Sequence, residues 1–263
     1  MLNILSNRTY RHLFMAQVIA LIGTGLATVA LGLLAYDLAG DRAGAVLGTA
    51  LAIKMSAYIL VAPVAAAFAD KFPRRTMLVT LDLVRALVAI TLPFLTQIWE
   101  IYILIFILQA ASAAFTPTFQ ATIPDILPDE REYTRALSLS RLAYDLESVI
   151  SPMLAAALLT VMSFHNLFAG TAVGFLASAA LVVSVTLPKM KALTVKRSIY
   201  DKTTRGMRIF LKTPRLRGLL ALNMAVAAAS AMVIVNTVVL VQADFGFSQR
   251  STAIALAFFG VGS

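Results

Sequence analysis

The chain has 263 residues, of which 60% are hydrophobic and only 13% charged, with a net charge of +9. A soluble domain is about 45–50% apolar and about 25% charged, so there is too little polar side chain here to cover a globular surface. Cysteine is absent, which excludes disulfides, thiol catalysis and cysteine-based metal sites.

The short N-terminus carries Arg8 and Arg11, and a long apolar run follows. That run exceeds the core of a cleaved signal peptide. It predicts a first membrane helix over Leu13 to Tyr36. Further runs predict helices over Gly44 to Ala69, Thr76 to Thr96, Trp99 to Phe119 (kinked at Pro117), Arg135 to Val161, Asn166 to Leu187 and Leu216 to Val241. Each approaches or exceeds the ~20 residues that span a bilayer core. In lipid the backbone must satisfy its own hydrogen bonds, so these runs are helices and not strands. The last run, Thr252 to Ser263, is half a span. It reads as a truncated eighth helix, the chain being a fragment of a longer protein.

Orientation follows from the basic residues. Of the 22 Lys and Arg, only Arg42 and Arg250 fall in one set of loops, and Lys54 and Arg85 lie within helices; all others fall in the N-terminus and the alternate loops. Short loops rich in Lys and Arg stay in the cytoplasm, so the N-terminus is expected inside, in a multi-pass protein of the cell membrane. The +9 charge is then an orientation signal and an attraction to anionic lipid. No basic stripe interleaved with aromatics points to nucleic acid. His12 and His165 lack ligand spacing, no phosphate-binding GxxxxGK[ST] loop occurs, and nothing calls for a cofactor or a metal.

The tight turn between the second and third helices, AAAFADKFPRRTML from Ala65 to Leu78, holds Asp70, Lys71, Arg74 and Arg75 around Pro73. It resembles the loop signature of the major facilitator superfamily, Gly-x-x-x-Asp-Arg/Lys-x-Gly-Arg-Arg/Lys. Ala66 and Pro73 stand at the glycine positions. Thr116-Pro117-Thr118-Phe119-Gln120 through Arg135-Ala136-Leu137, and Asp82-Leu83-Val84-Arg85-Ala86, are similar to the macrolide- and siderophore-exporter branch. Ser151-Pro152 is similar to an exporter signature that has Gly-Pro. The resemblance implies an all-α membrane protein: a six-helix N-terminal bundle (1–187), a basic cytoplasmic connector (188–215), and the start of a second bundle (216–263) with helix 7 and a partial helix 8. At a fixed offset Arg11 matches Arg217, Gln17 matches Asn223 and Thr24 matches Ser230, as a parallel repeat would require. The hairpin is then a gating latch whose Asp70 meets the second half.

Charged groups inside spans cost several kcal/mol and face a cavity or a partner. Five qualify: Lys54, Asp82, Arg85, Asp145 and Glu147. At ~1.5 Å rise per residue, Arg85 lies about 13 Å from Thr76, Asp145 about 13 Å and Glu147 about 16 Å from Ala136, and Lys54 about 15 Å from Gly44. Asp82 and Arg85 can pair at i, i+3. Lys54 then neutralises only one of Asp145 and Glu147, leaving a carboxylate able to carry a proton. Arg141, one turn before Asp145, could supply the missing charge, and the whole set could equally be a structural ion-pair network. Polar stripes run along helix 1 (Gln17, Thr24, Thr28), helix 4 (Gln109, Ser112, Thr116, Gln120) and helix 7 (Asn223, Ser230, Thr237). By resemblance these line the central cavity; as plain chemistry they could instead join helices.

The expectation is a secondary transporter exporting small amphipathic molecules, with protons as coupling ion and lipid as surroundings. The alternative is a non-transporting membrane protein or inactive remnant. An intramembrane enzyme is disfavoured, since no HExxH, Ser–His pairing or Asp-rich metal motif occurs.

Overall fold

The computed structural model describes residues 2–68, 72–188, 206, 208–248, 251, 252, 254, 255, 258 and 259. Among them no strand occurs. The helices are α1 (Arg8–Ala39), α2 (Ala43–Phe68), α3 (Arg74–Thr91), α4 (Ile98–Ile126), α5 (Glu130–Leu158), α6 (Phe164–Val183) and α7 (Pro214–Val239). Short 3-10 turns precede α1 and follow α1 and α3, and a π-turn, Leu240–Asp244, closes α7. All seven expected helices are present.

Their ends differ from expectation for identifiable reasons. The Asn7 side chain accepts the Tyr10 N–H at 3.1 Å and starts α1 at Arg8, before Leu13. Asp129 accepts from Arg131 N and Glu132 N at 2.9 and 3.0 Å, so α5 starts at Glu130 and not Arg135. Helix α4 runs past Pro117 and Pro124 to Ile126, well beyond Phe119. Neighbouring helices can re-satisfy the backbone groups a proline frees in a membrane helix. Among the described residues, six helices are long and apolar enough to span a membrane. Helix α5 falls outside that set, being the most heavily charged of those in the N-terminal unit. The expected partial eighth helix lies largely outside the described residues, as does most of the basic connector.

Contacts divide the chain into two units, Met1–Lys191 and Ala192–Ser263. In the first, α1 packs most closely on α6 and then on α5, α2 packs on α4, and α3 packs on α6 and α4. The α1–α6 crossing depends on small residues. A Cβ on Gly23 would stand 3.3 Å from Thr171 O, and one on Gly174 would stand 3.4 Å from Ile19 O. The hydroxyl of Thr171 donates to Gly23 O at 3.1 Å across this contact. Small residues let membrane helices approach closely enough for such bonds.

One apolar cluster gathers Tyr10, Leu13, Leu78, Phe119, Ile123, Ala136 and Val182. It places the starts of α1, α3 and α5 and the ends of α4 and α6 at the same end of the unit. A second cluster, including Leu34, Leu92, Ile101, Leu167 and Phe168, fills the opposite end. The second unit contains α7 and its π-turn, whose apolar stretch is exposed.

Candidate functional site

Midway along α3, Asp82 and Arg85 form the expected ion pair, both almost wholly buried. Ser178 on α6 donates to the other oxygen of Asp82 at 2.7 Å. The guanidinium carbon of Arg85 lies 4.3 Å from the Phe115 ring centre and 4.5 Å from that of Phe175. A cation between two desolvated rings gains about 2 kcal/mol or more. The pair is thus neutralised, hydrogen-bonded and enclosed, the only form in which buried charge is tolerated. Nothing in the chain before or after Asp82 announced Ser178, Phe115 or Phe175, which come from helices remote in sequence.

The remaining intramembrane charges separate. Asp145 lies on the exposed side of α5 and pairs with Arg141 at 3.3 Å, with side chains 58% and 79% exposed. It does not share the buried site of Arg85. Glu147 lies on another side of α5 and is half-buried. It packs against α1 where Gly25 leaves room: a Cβ there would overlap Ser151 and stand 2.5 Å from Glu147 Oε1. Lys54 on α2 is the cation whose field reaches Glu147, yet among the described residues no ion pair within 4 Å joins them. The leftover countercharge for Asp145 is Arg141, which leaves Lys54 to Glu147.

Six of the stripe residues border two small cavities of the first unit. Lys54, Thr28 and Gln109 line one between α1, α2 and α4. Gln17, Thr24, Ser112 and Thr116 line another with Arg85, Tyr58 and Tyr144. Gln120 is exposed and borders neither. The stripes do not act alike. Thr24, Thr28 and Ser112 donate to carbonyls one turn back, at 2.9 Å each, and are satisfied within their own helices. Gln17 accepts from Ser140 at 3.1 Å, and Thr116 meets Tyr144 at 2.9 Å, so these two join α5 to α1 and α4. Tyr58 and Tyr144, both near Arg85, carry no periodic polar signature. Sequence reading passed over both as site residues.

Of the hairpin residues, Asp70 and Lys71 lie outside the described residues. Arg74 pairs with Asp125 at the end of α4, Nε to Oδ2 3.0 Å. Arg75 donates to Val183 O at the end of α6. Both arginines therefore tie the start of α3 to its neighbours inside the first unit. On α7, Asn223 is exposed and donates to Leu219 O at 3.0 Å, and Ser230 is half-buried.

The profile of the Major Facilitator Superfamily matches residues 13–263. An MFS-type transporter of Bacillus subtilis, YfiS, described as uncharacterised, is 27% identical over 145 residues, or 55% of this chain and 34% of its own length. Macrolide efflux protein A of Enterococcus faecalis is 24% identical over 154 residues, or 55% of this chain and 47% of its own. The crystal structure of a D-xylose-proton symporter aligns over 96% of this chain and 65% of its own, with a TM-score of 0.64 at 14% identity. The chain spans between a third and a half of these curated relatives' lengths.

Proposed function

This chain belongs to the Major Facilitator Superfamily, and from that premise we propose that the complete protein exports small amphipathic molecules in exchange for protons. The chain is a multi-pass membrane protein of a transporter family, and its kinship to a macrolide efflux protein favours export. In this reading 1–187 is one lobe, 188–215 a cytoplasmic connector and 216–263 the start of the other lobe, and α5 crosses the membrane with the rest. The N-terminus lies inside: Arg8, Arg11, Arg74, Arg75, Arg131 and Arg135 all collect at the end marked by the starts of α1, α3 and α5. In this reading Asp70, in the hairpin sequence that precedes α3, serves as the latch toward the second lobe. Asn223 and Ser230 join Thr28, Lys54, Gln109 and Gln120 as polar lining of the path.

The observation that carries proton coupling is Glu147. It is a half-buried carboxylate beside Gly25 and Ser151, facing a lysine that does not touch it. A charge held this way in hydrocarbon is costly, and a carboxylate lowers that cost by taking a proton. Asp82 is unsuited to the task because Arg85 and Ser178 occupy both its oxygens. The test is export from proteoliposomes of the complete protein with and without an imposed proton gradient. Glu147→Gln removes the dependence on the gradient, and Asp145→Asn keeps it. Gradient-driven export by Glu147→Gln at the wild-type rate would remove Glu147 from the mechanism.

A further inference from the structure

We propose that the chamber beside the Asp82–Arg85 pair is an ordered-water site, in which water joins Arg85 on α3 to Tyr58 on α2. Its role is to hold the first unit in shape, whatever the unit transports. The chamber lies among α1 to α5, with Gln17, Tyr58, Arg85, Ser112 and Phe115 among its walls. It leaves about 30 Å³ for the centre of a water, where ~10–15 Å³ suffices for one. Gln17, Arg85, Ser112 and Phe115 are all buried.

The donor that calls for water is Arg85 Nε–H. It is buried and has no hydrogen-bond partner among the described residues. Asp82 binds the guanidinium at Nη2, and the Phe115 and Phe175 rings beside it carry no acceptor oxygen. A buried charged donor left unsatisfied is costly. Because Asp82 already neutralises Arg85, the chamber has no net charge to attract an anion, and neutral water is the ligand that fits. A buried water needs two to four polar partners. Thr24 and Ser112 spend their hydrogens on carbonyls of their own helices, so their oxygens keep a lone pair for a water hydrogen. Tyr58, whose phenol lies within the field of Arg85, makes no hydrogen bond among the described residues. A water that accepts from Arg85 Nε–H and donates to Tyr58 satisfies both. Helix α2 packs chiefly on α4 and then on α1, so this bridge is its polar link to α3 and fixes its rotation. Lys54 stands one turn earlier on the same face of α2, beside Gln109 in the neighbouring cavity. Tyr58 is thereby a positioning residue for Lys54.

The test is X-ray radiolysis of the complete protein in detergent and oxygen-18 water, read by mass spectrometry. Hydroxyl radicals form in place from bound water and oxidise the rings beside it. Phe115, buried against the chamber, is expected to take up label at least tenfold faster than Phe168, which is equally buried in the other apolar cluster. A radical scavenger in the bulk solvent should slow the labelling of exposed Tyr36 and leave that of Phe115 unchanged. Ser112→Leu, which fills the chamber, should cut Phe115 labelling at least fivefold. Tyr58→Phe, which removes the second partner and keeps the ring, should cut it at least threefold. Thermal unfolding shows which variants fold, and the wild-type comparison stands even where one does not. Labelling of Phe115 no faster than that of Phe168 overturns the proposal and makes the chamber dry. Labelling that the scavenger suppresses as strongly as at Tyr36 overturns it as well, marking bulk solvent and not held water. Unchanged labelling in a folded Ser112→Leu protein removes the chamber as the source, and in a folded Tyr58→Phe protein it removes the bridge.

Discussion

Ser178 on α6 donates its hydroxyl to the Asp82 carboxylate on α3 at 2.7 Å, deep in the first unit where both are fully buried. The bond completes a closed polar cluster in which Arg85 neutralises Asp82 and the Phe115 and Phe175 rings enclose the guanidinium. Breaking such a pair by removing one partner leaves an uncompensated charge, at about 3–5 kcal/mol. Arg85→Met and Asp82→Leu should therefore each lower the unfolding temperature of the purified protein strongly. The double variant, with no charge left to bury, should be more stable than either single one. Differential scanning fluorimetry in detergent reads this ordering. A double variant as unstable as the sum of the singles would mean that the pair acts as two unrelated residues.

Gly25 has no space for a side chain, because Ser151 and Glu147 occupy it. Gly25→Ala should force α1 and α5 apart and depress both stability and transport. Ser151→Gly in the same protein removes the closest obstacle and should restore part of both. Core overpacking of this kind costs about 1–3 kcal/mol, within reach of a thermal shift assay.

At the α1–α6 crossing, Thr171→Val deletes the hydroxyl bond to Gly23 O while keeping the shape. Interhelical hydrogen bonds in membrane proteins contribute about 0.6 kcal/mol on average, so the loss should be small. Gly174→Leu should be far worse, since its side chain meets backbone at Ile19 O and the Gly23 Cα. Comparing the yields of folded protein for the two variants checks the order.

Arg74 and Asp125 join the starts and ends of α3 and α4 with modest exposure, 10% and 20%. Contacting residues show coupling of about 0.5–3 kcal/mol in double-mutant cycles. Arg74→Asp and Asp125→Arg should each destabilise the protein, and the charge-swapped double variant should recover part of the loss. Additive effects in the cycle would show that the pair is incidental.

Much of this arrangement was legible in the chain. Membrane length and apolar texture gave the seven helices, and i, i+3 spacing gave the Asp82–Arg85 pair. What the sequence reading left open was azimuth. Counting rise placed Asp145 and Glu147 at nearly the same depth, but residues two apart do not share a helix face. The structure accordingly puts one outward with Arg141 and the other toward α1. The Ser and Thr stripes were legible as faces but not in their bonding. Their spacing marks a face, yet Thr24, Thr28 and Ser112 spend their hydroxyls on their own helix. The start of α5 was readable, since Asp129 followed three residues later by Glu132 is a capping pattern, but the charged run there looked like loop. Ser178, Tyr58 and Tyr144 gave no signal, because their meaning comes only from which helices meet.

The central claim is that Glu147 links proton movement to export, and one measurement addresses it most directly: proton-gradient-driven export by reconstituted complete protein, comparing Glu147→Gln with Asp145→Asn. The expected result is that Asp145→Asn responds to the gradient as the wild type does, while Glu147→Gln shows the same rate with and without it. A Glu147→Gln protein still driven by the gradient, or an Asp145→Asn protein that is not, would contradict it.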